Sequence, residues 1–281
     1  KAEAKDSYLN MERILSATIA SGADAIHPGF GFLSENSKFA ALCEKCNIAF
    51  IGPSARTIEE TGNKSEARNA MVRAGVPVIP GTKEPIFTAE AGRKFADEIG
   101  YPVMIKAALG GGGKGMRVVQ NSTDFEKNFQ NAQREAENGF GDNSMYIEKY
   151  IEHPKHIEFQ ILADNEGNTI HLGERDCSVQ RRHQKMIEES PCTALDEDLR
   201  EQMGAMAVRA AKAVGYRNAG TVEFLLDSHR QFYFMEINTR IQVEHGVTEL
   251  VTGIDLVKEQ IRIAAGEKLG LRQSDIHLTG H

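Results

Sequence analysis

The sequence predicts an α/β chain whose opening sheet is parallel and doubly wound, passing into mixed α+β structure. Three observations carry this. Residues 10–51 alternate helix, strand, helix, strand, which is the pattern of a parallel sheet with crossover helices. Residues 88–150 repeat helix and strand around a run of glycines. Residues 221–238 alternate with period two on either side of a polar turn, which reads as a hairpin.

The elements follow in order. Met11, Ile14, Leu15 and Ile19 form the apolar stripe of a helix over 10–21. A short strand, 25–27, leads into the loop PGFGF, and Ser34 is expected to cap a helix running to Cys46. Residues 48–51 form a buried strand closed by Gly52-Pro53, and 57–74 is helical with a break at Gly62. Residues 76–81, with two prolines, act as a linker. Beyond it lie a helix (88–99), strands at 103–107 and 116–119, a helix (123–137) and strands at 145–150, 156–163 and 169–174. A charged segment (175–190), a helix (196–214), the hairpin and a helix (254–267) complete the chain. The absence of a strand before the first helix, of an initiating Met and of a closing signal leads to the expectation of a fold truncated at both ends.

Bulk properties exclude several function classes. The chain has 281 residues, enough for about two domains. Its formal net charge of −7 gives no support to a nucleic-acid partner. No apolar run reaches the roughly 18 residues of a membrane span, so no membrane partner is expected. Cys43 and Cys46 form a lone CxxC without a second ligand pair and read as reduced thiols, which suits a cytoplasmic protein.

The hairpin carries the first chemistry. Alternation puts Thr221, Glu223 and Leu225 on one face, and Phe232, Phe234, Glu236 and Asn238 on one face of the partner strand. If Asp227 pairs with Phe232, Leu225 meets Phe234 and Glu223 meets Glu236. Two carboxylates about 5 Å apart at Cβ destabilise a sheet unless something compensates them. A shared cation would do so, and Glu223, Glu236 and Asn238 offer oxygen ligands that suit Mg2+. A solvated amphipathic hairpin is the alternative.

Gly110 to Gly113 lie between two strands, with Lys106 on the first. Glycine lets backbone N–H groups approach an anion closely, so a flap over phosphates and a flexible surface hairpin both fit. The spacing is neither a Walker loop nor a dinucleotide fingerprint. Residues 174–185, ERDCSVQRRHQK, concentrate cations that either face solvent or neutralise an anionic substrate.

Taken together, HPGFGFLSEN (27–36), GGGGKGMRVV (110–119), EKYIEHPKHIEFQ (148–160), GERDCSVQRRHQK (173–185) and MEINTRIQVEH (235–245) resemble the biotin carboxylase family of ATP-grasp ligases. The resemblance covers essentially the whole chain. It implies a partial Rossmann-like N-terminal domain at 1–51, linker helices at 52–78, a flap subdomain at 79–149 and an incomplete catalytic ATP-grasp subdomain at 150–281. It also implies the activity: ATP phosphorylates bicarbonate, and the carboxyphosphate so formed delivers CO₂ to a deprotonated ureido nitrogen of biotin.

By the same resemblance, Lys64 and Lys106 hold the nucleotide phosphates, Gly112 and Gly113 cover them, and Glu148, Lys149, Tyr150 and Ile151 meet the adenine. His156, Gln180 and His183 fall in the nucleotide site. Glu223, Glu236 and Asn238 match the Mg2+ (or Mn2+) site, in agreement with the strand reading. Lys185, Arg240, Gln242 and Val243 match the bicarbonate pocket, and Glu244 the general base. Gly246 stands where the family usually has proline, and Lys114 where many members have arginine.

The implied partners are a biotin carboxyl carrier protein, a carboxyltransferase and a second copy in a homodimer. Residues 173–191 most resemble acetyl-CoA carboxylase subunits, which would place the chain in fatty acid biosynthesis. Carboxylases of propionyl-CoA, pyruvate or urea are alternatives. So are a carbamoyl-phosphate or purine-pathway ATP-grasp ligase and a non-catalytic nucleotide-binding module.

Overall fold

The computed structural model describes residues 3–108, 115–181 and 184–281, and only the main chain of Lys64, Ser65 and Phe140. Contacts divide the chain into two compact units, 79–154 and the remainder.

Helix starts follow capping chemistry. Asn10 accepts from the Arg13 N–H and opens α1 (Met11–Ser21), which stops at Gly22 in the left-handed region. Asn36, not the expected Ser34, opens α2 (Ser37–Lys45) by accepting from Phe39 N. Ser34 lies instead in the preceding turn, its N–H bonded to Gly31 O. Strands β1 (Ala25–Ile26) and β2 (Ala49–Phe50) pair parallel, with Leu15, Leu33, Phe39 and Ile48 packed beneath them. Helices α3 (Ala55–Gly62) and α4 (Lys64–Ala74) follow, separated at Asn63.

The 79–154 unit contains α5 (Ala89–Ile99), β3 (Val103–Ala107), β4 (Met116–Val119), α6 (Phe125–Phe140) and β5 (Met145–Lys149). Its sheet is antiparallel in the order β4-β3-β5, and Ile105, Ile147, Phe125 and Phe129 fill its core. The strands flanking the glycine run therefore form the expected hairpin.

The larger unit is built on one antiparallel sheet. Its strands are β6 (Lys155–Ala163), β7 (Thr169–Arg181), β8 (Gln184–Glu189), β9 (Asn218–Leu226) and β10 (Phe232–Asn238), in the order β10-β9-β6-β7-β8. Helix α7 (Glu197–Ala213), capped by Asp196, covers one face, where Met203, Ala207 and Ala211 meet Ile157, Phe159, Val222 and Phe224. Helices α8 (His245–Thr252) and α9 (Leu256–Ala264) follow. Among the named strands of the described residues only β1 and β2 pair parallel, with one further parallel bridge between Val78 and Phe234; the doubly wound expectation does not extend to the other sheets.

The charged segment 175–190, to which the sequence assigned no secondary structure, forms the end of β7 and the whole of β8, and several of its charges pair within the sheet. One sequence expectation fails here for a physical reason: the hairpin register is offset. Tyr233 meets Leu225 and Phe234 meets Phe224, whereas Glu236 does meet Glu223. A bulge at Met235 absorbs the difference. Consequently Phe234 and Ile237 both enter the core, and Phe232 and Phe234 do not share a face with Glu236 and Asn238. The turn is fixed by Asp227, whose Oδ1 accepts from His229 N and Gln231 N at 2.8 Å each, with Arg230 left-handed at φ 63°.

One close approach between α7 and β7 makes two predictions. A Cβ on Gly204 would lie 2.4 Å from His171 Nε2. Gly204→Ala is expected to lower stability by about 1–3 kcal/mol, read from the urea midpoint, because the ring must shift off its edge contact with Phe159 and its bond from Gly173 N. Burial also pushes the His171 imidazole down to about 4. The unfolded chain then binds the extra proton, so stability is complete above the ordinary histidine value and falls as pH drops from about 6.5 toward 4. The loss between pH 7 and pH 5 is about 2 kcal/mol, and His171→Phe should flatten that slope.

Candidate active site

Cross-strand pairing lines up four charged residues across four strands. Glu236 of β10 faces Glu223 of β9, Glu223 faces Glu158 of β6, and Glu158 faces Arg175 of β7. Three consecutive carboxylates across a sheet repel one another, so the row requires cations. Arg175 closes it: fully buried, it donates to Glu158 Oε1 at 2.6 Å, Gln160 Oε1 at 2.9 Å and Thr248 Oγ1 at 2.8 Å. Lys185 of β8 reaches over the row. Its Nζ lies 2.5 Å from Glu158, 2.8 Å from Glu223 and 2.8 Å from Glu244.

These distances set the charge states. Burial opposes the Lys185 ammonium, but Glu158 and Glu223 outweigh it and raise its affinity for the proton above that of ordinary lysine. Burial likewise opposes the Glu223 carboxylate, but His156 and Lys185 hold it well below the usual carboxylate range. His156 Nε2 lies 2.8 Å from Glu223 Oε2, and the Gln180 amide nitrogen lies 2.7 Å from its Nδ1.

The remaining expected residues of this unit come together at the end of β10. Asn238 Nδ2 and Gln242 Nε2 donate to Glu223 Oε1 at 2.8 and 3.3 Å. Arg240 donates to Gln242 Oε1 at 2.9 Å and Asn238 Oδ1 at 3.3 Å. A cavity of about 370 Å³ is lined by Glu35, Thr61, Glu236, Asn238, Thr239 and Arg240. Val243 is 65% exposed, and Glu244 precedes the first turn of α8. The donor chemistry fits a hard divalent cation: Glu223 and Glu236 face each other as carboxylates with Asn238 beside them.

In the 79–154 unit Lys106 is ion-paired to Glu148 on the neighbouring strand. The Lys149 ammonium is held by the carbonyls of Gly100 and Tyr101 at 3.0 and 2.9 Å, so its side chain serves this unit's own packing. Tyr150 N donates to Pro102 O, and Ile151 is buried. Lys64 opens α4, but its side chain, like Gly112, Gly113 and His183, lies outside the described residues.

Sequence reasoning missed Glu158, Arg175 and Glu35 as site residues. A signal for Glu158 existed: in HIEFQI, His156, Glu158 and Gln160 alternate with Ile157, Phe159 and Ile161, a polar face on a buried strand. The cysteines are all free. Burial raises the Cys177 thiol far above its ordinary value and pushes Cys192 up to about 12, so neither is a reactive thiolate.

Comparison with known proteins gives concordant findings. The family model for the carbamoyl-phosphate synthase L chain, ATP binding domain, matches residues 63–272, and that for the biotin carboxylase N-terminal domain matches residues 1–58. A biotin carboxylase of Nostoc sp. is 59% identical over 98% of this chain and 62% of its own length. The crystal structure of a biotin carboxylase complex with β,γ-ATP from Campylobacter jejuni has a TM-score of 0.87 at 54% identity, covering 99% of this chain and 62% of that one. The biotin carboxylase domain dimer of Hydrogenobacter thermophilus 2-oxoglutarate carboxylase, in complex with MgADP, ADP and bicarbonate, has a TM-score of 0.86 at 52% identity. It is covered to 62% by the whole of this chain. The chain thus spans 62% of the length of these relatives. With its carbamoyl-phosphate synthase type of ATP-binding domain in the ATP-grasp fold, this chain belongs to the biotin carboxylase family.

Proposed function

We propose that the protein carrying this chain carboxylates biotin on a carrier protein, using Mg-ATP and bicarbonate. The observation that carries this reading is the meeting of Lys185, Glu223 and Glu244 around one ammonium, with Arg240 and Gln242 adjoining. In this reading Arg240, Gln242, Val243 and Lys185 receive bicarbonate, and Glu244, 2.8 Å from Lys185, takes its proton. The bicarbonate oxygen so freed attacks the γ-phosphate of ATP, giving carboxyphosphate and ADP. Carboxyphosphate breaks down to CO₂ and phosphate, the ureido N–H of biotin gives its proton to the phosphate so released, and the deprotonated nitrogen takes up the CO₂. The fixed cations Lys185 and Arg240 offset charge that develops on the transferring group. Glu223, Glu236 and Asn238 would hold Mg2+ or Mn2+, which neutralises phosphate charge when bound. Lys64, Lys106, Gly112, Gly113, the 148–151 segment, His156, Gln180 and His183 are assigned to the nucleotide.

The test is phosphate release from Mg-ATP, on this chain and on one extended at both ends to the relatives' length. Release that depends on bicarbonate and rises with free biotin is expected in the extended chain. Release indifferent to bicarbonate there would overturn the reading and favour a nucleotide-binding module.

Acetyl-CoA carboxylase, and with it fatty acid biosynthesis, is our preferred setting, supported by the GERDCSVQRRHQKMIEESP segment. Reconstitution with carrier and carboxyltransferase should then consume acetyl-CoA in preference to pyruvate. A homodimer is proposed by analogy with the 2-oxoglutarate carboxylase domain dimer. Among the described residues no helix is long and apolar enough to cross a membrane. The free cysteines support a reducing compartment such as the cytoplasm.

A further inference from the structure

Glu35 lies in the segment matched by the N-terminal-domain model, 205 positions before Arg240, and received no role from its sequence. Its main chain is set between the turn that closes Ser34 N onto Gly31 O and the Asn36 cap of α2. Its two carboxylate oxygens are used differently. Oε1 accepts from the N–H and hydroxyl of Thr239 at 3.3 and 3.4 Å, holding the end of β10. Oε2 accepts from Arg240 Nε at 3.1 Å.

The rest of the Arg240 guanidinium is also engaged. One terminal nitrogen donates to Gln242 Oε1 and, at 3.4 Å, to the carbonyl of Ile241, and the other donates to Asn238 Oδ1. Among the described residues these contacts take four of the five N–H directions of a guanidinium, leaving one on the nitrogen that meets Asn238. A flexible arginine side chain rarely has so little freedom at a partly exposed site, and the fork geometry makes its orientation decisive for an oxyanion. The Glu35 contact alone fixes Nε, and with it the rotation of the whole plane.

We infer that Glu35 is a positioning residue that fixes the guanidinium of Arg240 in the orientation that presents its remaining donor to bicarbonate. The inference rests on the bicarbonate reading of Arg240 for its functional half. The pair is partly exposed, with side-chain exposures of 20% and 43%, so its removal should change stability little. Its effect is therefore expected on binding geometry rather than on the fold.

The experiment has two arms, both in the extended chain. In the kinetic arm, Glu35→Ala should raise the KM for bicarbonate about tenfold and leave the KM for ATP within about twofold, because only the anion contact is misaligned. Glu35→Gln keeps an oxygen that can accept the Nε–H and should stay within about threefold of wild type. In an Arg240→Ala background, Glu35→Ala should add nothing, since it acts through Arg240. An equal loss in that background would overturn the inference, as would wild-type kinetics in Glu35→Ala. The second arm reads exchange of the Arg240 Nε–H with water by NMR and needs no turnover. Exchange should accelerate about tenfold in Glu35→Ala. Unchanged exchange defeats the positioning role. Accelerated exchange in a protein without bicarbonate-dependent phosphate release would uphold the positioning and defeat the bicarbonate reading instead.

Discussion

Lys185→Met should lose bicarbonate-dependent phosphate release by more than about 10³-fold and lose about 3–5 kcal/mol of stability at neutral pH. The stability loss follows from the acids it serves. Glu158 and Glu223 are buried, and both have an oxygen within 2.8 Å of the one ammonium. Methionine fills the same volume but leaves the acids to Arg175 and His156. The pH dependence distinguishes charge from packing. The folded-state pKa of Glu223 is depressed, so its stabilising contribution is present above the ordinary carboxylate value of about 4.3 and is lost as pH falls through the folded value. That of Lys185 is raised, so its contribution is complete below about 10 and disappears only at higher pH. The gap between wild type and Lys185→Met should therefore be widest from about pH 5 to 10 and close as pH falls below about 4. Urea midpoints at pH 7 and at about pH 2.5, near the folded-state value of Glu223, measure it. A gap of the same size at both would mean that Lys185 acts by packing, and the electrostatic account would fail. Lys185→Arg should recover part of the stability but little activity, because a planar fork cannot take the place of a point charge between three acids.

Glu236→Gln should abolish Mg-dependent turnover, by at least about 10²-fold, while the fold survives. Glu236 sits directly opposite Glu223, and like charges in that position destabilise by about 0.2–1 kcal/mol. Removing one charge should leave the melting temperature unchanged or slightly higher. Activity should fall because a facing pair of carboxylates, suited to a divalent cation, becomes a single carboxylate and an amide. Phosphate release titrated against Mg2+ gives the answer, with thermal melting as the control for folding. A Mg2+ titration superimposable on wild type would remove Glu236 from the proposed metal site.

The parts of the fold that were legible in the sequence are those set by neighbours along the chain. Helix ends follow caps such as Asn10, Thr88 and Asp196, each a short side chain reaching a nearby N–H. The Glu223–Glu236 pairing was legible because one short turn joins their strands. The bulge was not, since a count of alternating positions carries no mark of one extra residue. Arg175 was hidden for a different reason. Its partners Glu158, Thr221 and Thr248 are 17, 46 and 73 positions away, so its charge reads locally only as part of a run that faces solvent or an anionic substrate, not as a buried partner of Glu158. Glu35 was further still from Arg240, and nothing near either residue announces the other.

The bulge at Met235 has a consequence for how this hairpin can change over time. Strand β10 serves two masters, with Phe232 and Phe234 filling the core before the bulge and Ile237 filling it after. The bulge absorbs one extra residue between Phe234 and Glu236, so that Glu236 and Asn238 face the acid row while Ile237 stays inside. Both the identity of the exposed residue 235 and its presence are therefore nearly free: without it Phe234 would run straight on to Glu236 in regular alternation, still opposite Phe224 and Glu223. A deletion at Ile237 has no such slack, since it would turn every later residue of the strand to the other face.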